Sequence, residues 1–300
     1  MESITINAQS DNLPLATIIS CPQKPVAIIQ IVHGMCEHKE RYLKFIEYLN
    51  QNQMGVIIHD LRGHGASILK EDDLGYFYQK SSDVLVADVY QLTCLIKQRY
   101  PDVPLFLFGH SMGSLIVRNY LYQYGHKIDG LIVCGSPSKN RFAKAGRLFC
   151  LCLSKVKGDH YRSKLIRQLS IGMFNRGFKE ANSWICSDEQ VVKQFNEDKL
   201  CNFNFTLNGY YNLLSLMITA YQKQNHQVNK QLPILFISGE NDPCLINQKA
   251  FNQAVKHLYN LGYTNIKSRL FKQMRHEILN EKDKQTVYQE IINFINQNKE

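Results

Sequence analysis

The sequence has no long hydrophobic run and no low-complexity linker, and it contains a single tryptophan. No apolar stretch approaches the ~20 residues that a bilayer-spanning helix needs, so the sequence predicts no membrane span. The first six residues are polar and alternating, without the basic region and apolar stretch of a signal peptide. We therefore expect a cytoplasmic protein, and peripheral contact with a membrane stays open.

Cysteine does not occur in a disulfide pattern. The nine cysteines are odd in number and scattered, and several lie inside apolar segments, which is typical of reduced thiols that fill a core. Cys150 and Cys152 have no second pair at zinc-binding spacing. The sequence predicts no metal site and no organic cofactor.

Acidic residues are scarce in one part of the chain. The net charge is +9, and residues 137–212 hold 13 Lys/Arg against 6 Asp/Glu, which gives +7 of that total. A basic surface can attract nucleic acid, anionic lipid or acidic substrates. No nucleic-acid motif accompanies it, so we expect a solvated basic face and no nucleic-acid partner.

The most informative segment is an apolar strand pattern, residues 104–108, that runs into Gly109-His110-Ser111-Met112-Gly113. This Gly-x-Ser-x-Gly motif is followed by the apolar spacing of a helix. Such a serine sits on a sharp strand-to-helix turn, the nucleophile elbow of serine hydrolases. Side chains at Gly109 and Gly113 would collide with the neighbouring strand and helix, and the helix would direct its amide dipoles toward an oxyanion.

Strand and helix patterns alternate along the chain, which favours a mostly parallel sheet flanked by helices. An initial hairpin with a turn at Asp11-Asn12 supplies two of the eight predicted strands. The other six are expected at residues 26–32, 54–59, 104–108, 130–134, 232–238 and 267–271. The alternation breaks at residues 137–212, which we interpret as a helical lid inserted into a core formed by residues 1–136 and 213–300.

A serine nucleophile needs a base, and the base needs an orienting carboxylate. Asp242 and His276 each follow a predicted strand, and together with Ser111 they occur in the chain order Ser, Asp, His of α/β-hydrolases. Glu240 competes with Asp242, which is favoured because it lies further along the loop and precedes Pro243. Other histidines also follow strands but do not satisfy this order: His33, His59, His64 and His110.

An oxyanion hole in this fold uses two backbone N–H groups. The residue after the nucleophile, Met112, provides the first. The loop His33-Gly34-Met35 follows an early strand and places the second at Met35. Because the donors belong to the backbone, the identity of these side chains matters little.

Five blocks together resemble the monoacylglycerol lipase and lysophospholipase branch of the α/β-hydrolases, which is the serine aminopeptidase-like group. They begin at His33, Asp60, Gly109, Asn241 and Arg275, and they extend over most of the predicted core. The resemblance implies Ser111 as nucleophile, Asp242 as orienting acid, His276 as base, and Met35 and Met112 as oxyanion donors. It also implies ion-pairing and loop-bracing roles for four further residues: Glu37, Arg41, Arg62 and Glu277.

The sequence therefore predicts an α/β-hydrolase fold and a serine ester hydrolase without a cofactor. Expected substrates carry one acyl chain, such as monoacylglycerols or lysophospholipids, or are shorter esters. The same residues support peptidase, thioesterase or acyltransferase chemistry, because fold and triad do not fix the substrate. A binding protein on a hydrolase scaffold is a further alternative.

The predicted lid segment 141–157 mixes large apolar residues with lysine and arginine. It is compatible with a helix lying on an anionic membrane surface. We favour a helix that packs its apolar residues onto the core and turns its lysines outward, because any surface helix is amphipathic.

Overall fold

The computed structural model describes residues 1–223 and 227–299. One eight-stranded sheet forms its centre, with the strand order β1-β2-β4-β3-β5-β6-β7-β8. The strands are β1 (Glu2–Asn7), β2 (Pro14–Ser20), β3 (Ala27–Val32), β4 (Met54–His59), β5 (Leu105–His110), β6 (Gly130–Cys134), β7 (Ile234–Gly239) and β8 (Ile266–Phe271). β1 and β2 pair antiparallel, and all neighbours from β4 to β8 are parallel. The mostly parallel sheet predicted from the alternating pattern is confirmed, and its architecture is the α/β-hydrolase fold that the resemblance implies.

Helices cover both faces of the sheet. They are α1 (Leu43–Gln51), α2 (Asp83–Arg99), α3 (Met112–Tyr124), α4 (Ala143–Lys157), α5 (Lys164–Leu169), α6 (Glu189–Glu197), α7 (Leu207–Ala220), α8 (Gln248–Leu261) and α9 (Lys284–Asn298). Alternate strand residues face opposite cores: Leu105 and Leu107 pack with α2, α3 and α8, whereas Phe106 and Phe108 pack with α1 and α9. The inner parallel strands are buried on both sides, which explains their continuous apolar sequences.

Four helices, α4 to α7, occupy the connection between β6 and β7, where the lid was predicted. Helix α7 packs against both α4 and the core helix α3. Residue 212, the predicted end of the lid, lies inside α7, and the division into core and lid stays a prediction. No helix among the described residues is long and apolar enough to cross a membrane.

The turn from β5 to α3 depends on two glycines in close contact with their surroundings. A methyl group at Gly113 would overlap the carbonyl oxygens of Val32 and His33 on the adjacent strand. One at Gly109 would overlap the backbone of Gly113 and the side chain of Val117. The predicted steric role of both glycines is confirmed.

Replacing Gly113 with alanine is therefore expected to lower the free energy of unfolding by ~3 kcal/mol or more, because backbone atoms cannot yield to the added methyl group. Gly125→Ala is the matched control, since the nearest atom to its new methyl group would be 3.6 Å away. Urea unfolding of the two variants measures the difference. Equal stabilities would contradict the close packing of the elbow.

Candidate active site

Ser111 occupies the turn between β5 and α3 with φ 51° and ψ −117°. A non-glycine residue in this region of backbone space is strained, and such strain occurs at functional sites. The Ser111 N–H donates to the carbonyl of Cys134 on β6 at 2.9 Å, which fixes the turn at the carboxyl end of the sheet. A Cβ at Gly34 would lie 3.0 Å from the Cβ of Ser111, so the loop after β3 lies directly beside this serine.

Asp242 and His276 form a hydrogen-bonded pair at the same edge of the sheet. The Nδ1 of His276 lies 2.9 Å from Oδ2 of Asp242, and both side chains are buried. Asp242 also accepts from the Ser238 hydroxyl at 2.9 Å and from the Cys244 N–H at 2.8 Å. These three bonds fix the carboxylate, and the carboxylate directs Nε2 of the imidazole away from itself. Glu240, the competing acid, is exposed.

Ser111 and His276 both lie next to Gly135, which directly follows β6. The Ser111 N–H donates to the carbonyl of Cys134, the residue before Gly135, and a Cβ at Gly135 would lie 3.3 Å from Cε1 of His276. Gly135 has φ +57°, so glycine is favoured there by backbone conformation as well as by space. The sequence-based analysis missed this residue, although its position directly after a strand was a usable signal.

The amides of Met35 and Met112 lie where the sequence predicted them, in the loop after β3 and at the first residue of α3. Within residues 1–223 and 227–299, neither N–H donates to a protein acceptor. The loop holding Met35 is braced by Glu37, whose carboxylate accepts from the Gly34 N–H at 2.5 Å. An oxyanion hole requires unpaired N–H groups of this kind beside the nucleophile.

A buried charge network connects the loops that carry these groups. Glu37 binds Nδ1 of His110 at 2.9 Å, and Arg41 forms two hydrogen bonds with Glu277 at 2.6 and 2.7 Å. His110 directly precedes Ser111, and Glu277 directly follows His276. The network therefore holds one chain neighbour of Ser111 and one of His276. The predicted ion pairs are confirmed, including that of Arg62, which binds Asp88 at 2.7 Å.

The competing histidines have other roles. His33 accepts from the Leu61 N–H at 2.9 Å and contacts the Gly34 carbonyl at 2.8 Å, so it connects two loops. Burial lowers the pKa of His59 and of His64 to about 3, which keeps both rings neutral. His110 pairs with Glu37. None of these four binds Asp242.

Glu37 and His110 stabilise each other's charge. Burial opposes ionisation of Glu37, but the His110 hydrogen bond and charge outweigh it and hold the pKa of Glu37 well below its usual range. Burial also opposes protonation of His110, yet its bond to Glu37 raises the pKa of that imidazole. Stability from a lowered carboxyl pKa is lost as pH falls, and stability from a raised imidazole pKa is lost as pH rises.

We expect Glu37→Gln to cost ~3–5 kcal/mol of unfolding free energy near pH 5–6, where both wild-type groups are charged. The cost should shrink as the pH rises through the raised pKa of His110, because the imidazole then loses its charge in the wild type as well. Urea unfolding at several pH values measures it, and Glu47→Gln on the exposed side of α1 is the control. A cost that stays constant with pH would contradict the ionic pair.

One part of the predicted lid is fastened to the loop that carries His276. The guanidinium of Arg275 donates to the carbonyls of Ser183 and Cys186 at 2.5 and 2.9 Å. On the other side of His276, the Glu277 N–H donates to the Ile185 carbonyl at 2.7 Å. Residues 183–187 are called the lid clamp below, because they hold this loop on both sides of the imidazole.

Two groups of side chains among the described residues lie close enough to share a metal ion. One is Asp242, Cys244 and His276, and the other is His38, Asp198 and Cys201. In both groups the histidine already binds its carboxylate at 2.8–2.9 Å. The carboxylate of each group is thus already paired with an imidazole.

Fold and side-chain arrangement together define a serine hydrolase of the α/β-hydrolase class. The chain belongs to the serine aminopeptidase S33 family, whose model matches residues 23–283. Phospholipase YtpA of Bacillus subtilis is 26% identical over 269 residues, covering 88% of this chain and 93% of that protein. The monoglyceride lipase of Mus musculus is 41% identical over 92 residues, or 31% of this chain and 29% of that protein.

Among solved structures, a thermostable carboxyl esterase from Bacillus coagulans in complex with glycerol superimposes with a TM-score of 0.90. It is 27% identical, and the match covers 99% of this chain and 98% of the esterase. The likeness extends over the whole chain, including the helices between β6 and β7. The resemblance drawn from the five sequence blocks is confirmed at the level of the family.

Proposed function

We propose that this protein hydrolyses carboxylic esters that carry one acyl chain, such as monoacylglycerols, lysophospholipids or shorter esters. Ser111 is the nucleophile, His276 the base and Asp242 the orienting acid. The observation that carries the proposal is the buried hydrogen bond of 2.9 Å between His276 and Asp242 at the sheet edge that holds the strained Ser111. The names of the similar proteins, a phospholipase, a monoglyceride lipase and a carboxyl esterase, support an ester as the bond that is cleaved.

The reaction proceeds through an acyl-enzyme. His276 takes the proton of the Ser111 hydroxyl as its oxygen attacks the ester carbonyl, and the resulting oxyanion binds the N–H groups of Met35 and Met112. His276 then donates that proton to the departing alcohol, and the ester C–O bond breaks. Water repeats the sequence on the acyl-Ser111 ester and releases the carboxylic acid. No step requires a metal or an organic cofactor.

Initial rates across esters of increasing acyl length test the proposal, with a monoacylglycerol, lysophosphatidylcholine and leucine p-nitroanilide in the same series. Ester turnover with little anilide cleavage would support it, and the optimum length would separate lipid substrates from short esters. Preferential cleavage of the anilide would identify a peptidase. Deacylation by an added alcohol in preference to water would identify an acyltransferase. Absence of both turnover and fluorophosphonate labelling would favour a binding protein.

The face of the lid formed by residues 141–157 supports contact with an anionic lipid surface. Several large apolar side chains there are exposed, among them Phe142 at 76% and Val156 at 78%. The same 17 residues contain five Lys/Arg and no Asp/Glu. Packing against the core explains the composition of the opposite side of α4, where Ala143, Cys150 and Ser154 are buried. It does not explain the exposed apolar side chains. Apolar side chains surrounded by cations suit the boundary between anionic headgroups and acyl chains.

The double substitution Phe142→Ser and Val156→Ser is therefore expected to weaken binding to phosphatidylglycerol vesicles at least tenfold, because two inserted apolar groups are lost. Leu69→Ser is the control, since Leu69 is 68% exposed and lies outside the lid. Vesicle co-sedimentation measures the effect. Equal binding by both variants, or binding to neutral phosphatidylcholine alone, would contradict this orientation.

A further inference from the structure

Trp184 is the only tryptophan of the chain, and it lies in the lid clamp against the base. Its ring centroid is 5.0 Å from that of His276, with 43° between the ring planes. His110 packs on the same imidazole with its centroid at 4.8 Å. The lid thus supplies a residue in direct contact with the imidazole, a position that the sequence-based analysis did not assign.

The indole N–H of Trp184 is a buried donor without a partner. The residue is 8% exposed, and its Nε1 is shielded from solvent with no hydrogen bond to any described residue. Leaving such a donor unpaired is unfavourable, so native structures rarely do so without a reason. Packing on His276 alone does not explain a tryptophan here, because phenylalanine offers an aromatic ring without the unpaired donor.

A second unpaired polar atom occurs in the same part of the lid. Phe174 packs on Trp184 with ring centroids 5.1 Å apart. The next residue, Asn175, has its side-chain oxygen buried without a partner. An unpaired indole N–H is matched by a hydroxyl group, whose oxygen accepts a hydrogen bond.

The reaction itself places hydroxyl groups in this neighbourhood. His276 must lie beside the ester oxygen of the leaving alcohol to protonate it. The remaining hydroxyls of a polyol are one or two carbon–carbon bonds from that oxygen. They therefore lie near the aromatic ring that packs on the imidazole.

We propose that the Trp184 N–H donates a hydrogen bond to a hydroxyl of the leaving alcohol and makes the site selective for esters of polyols such as glycerol. This inference rests on the proposed ester hydrolysis and adds a subsite for the alcohol portion. A site built to bind a hydroxyl discriminates against an alcohol that lacks it, because the buried donor then stays unpaired.

The test compares kcat/KM for monooctanoylglycerol and ethyl octanoate, which share the acyl chain and differ in the alcohol. Trp184→Phe retains an aromatic ring next to His276 and removes the donor together with one ring of the indole. We expect it to lower the ratio of kcat/KM for the glyceryl ester to kcat/KM for the ethyl ester about five- to tenfold. Phe174→Leu is the control, because it loosens the packing around Trp184 but keeps the N–H, and it should preserve the ratio between the two esters.

Two results would overturn the proposal. If Trp184→Phe slows both esters equally, the tryptophan acts only by packing on the imidazole. If the ratio between the esters does not change, the N–H does not contact the alcohol.

Intrinsic fluorescence provides a readout that does not depend on ester turnover, because all tryptophan emission comes from Trp184. Glycerol is expected to shift the emission in a saturable way, whereas propan-1-ol, which has no additional hydroxyl, should not. If the wild type cleaves neither ester but glycerol produces this shift, the proposed ester hydrolysis fails and the subsite stands. If turnover and shift are both absent, the subsite fails as well.

Discussion

Replacing Ser111 with alanine is expected to reduce kcat for esters by about 10⁵- to 10⁶-fold, since no other group can form the acyl-enzyme. The residual rate would come from the Met35 and Met112 amides and from substrate binding. Steady-state kinetics on a p-nitrophenyl ester measures the loss. Labelling by a fluorophosphonate should disappear in the same variant.

Ser114→Ala is the matched control for this substitution. Ser114 lies three residues further along α3, and its hydroxyl donates to the Ser111 carbonyl at 2.5 Å. Its removal affects the turn without touching the proposed nucleophile, so kcat should stay within about tenfold of the wild type. A Ser111→Ala enzyme that retained turnover and labelling would refute the assignment of this serine.

Asp242→Asn is expected to reduce kcat by about 10⁴-fold while the protein stays folded. The carboxylate accepts the Nδ1–H of His276 and so leaves Nε2 free to take the serine proton. An amide at this position can donate to Nδ1 instead, which moves the ring proton to Nε2 and blocks the base. Ester kinetics, together with urea unfolding, separates this effect from loss of the fold.

Glu240→Gln distinguishes the two acids of this loop. Glu240 is exposed and makes no contact with His276 among the described residues, so its substitution should leave kcat nearly unchanged. If Glu240→Gln reduced kcat more than Asp242→Asn, the orienting role would belong to Glu240. His276 would then have to bind a different partner during the reaction.

The central strands could be predicted from sequence because each is a continuous apolar run that ends in glycine or a polar turn. The limits of β4 and β6 agree with the predicted ones to the residue, and α3 ends at Tyr124 as expected. Ser111, Asp242 and His276 could be predicted to lie at one edge of the sheet for a topological reason. In a parallel sheet the carboxyl ends share one edge, so residues that follow different strands meet there.

Side-chain contacts between distant segments were not predictable. Ion pairing of Glu37 and Glu277 was expected, but their partners depend on how three loops meet, and single residues do not encode that. Gly135 and Trp184 were missed as neighbours of His276 for the same reason. Strand ends also shifted: β5 continues to His110, two residues beyond its apolar run, because pairing with β6 extends past the apolar residues.

Two parts of the predicted lid differ in their attachment to the loop that carries His276. We expect the attached part, the lid clamp, to tolerate less sequence change during evolution than the rest. Insertions or deletions within residues 183–187 are expected to displace the loop that carries His276, because backbone carbonyls of this segment hold that loop on both sides of the imidazole. The helices at residues 143–169 carry no such attachment to that loop among the described residues. A lineage can therefore acquire new surfaces on these helices through successive substitutions while the catalytic machinery is retained. Grafting experiments that exchange lids should keep 183–187 with the core and move the remainder.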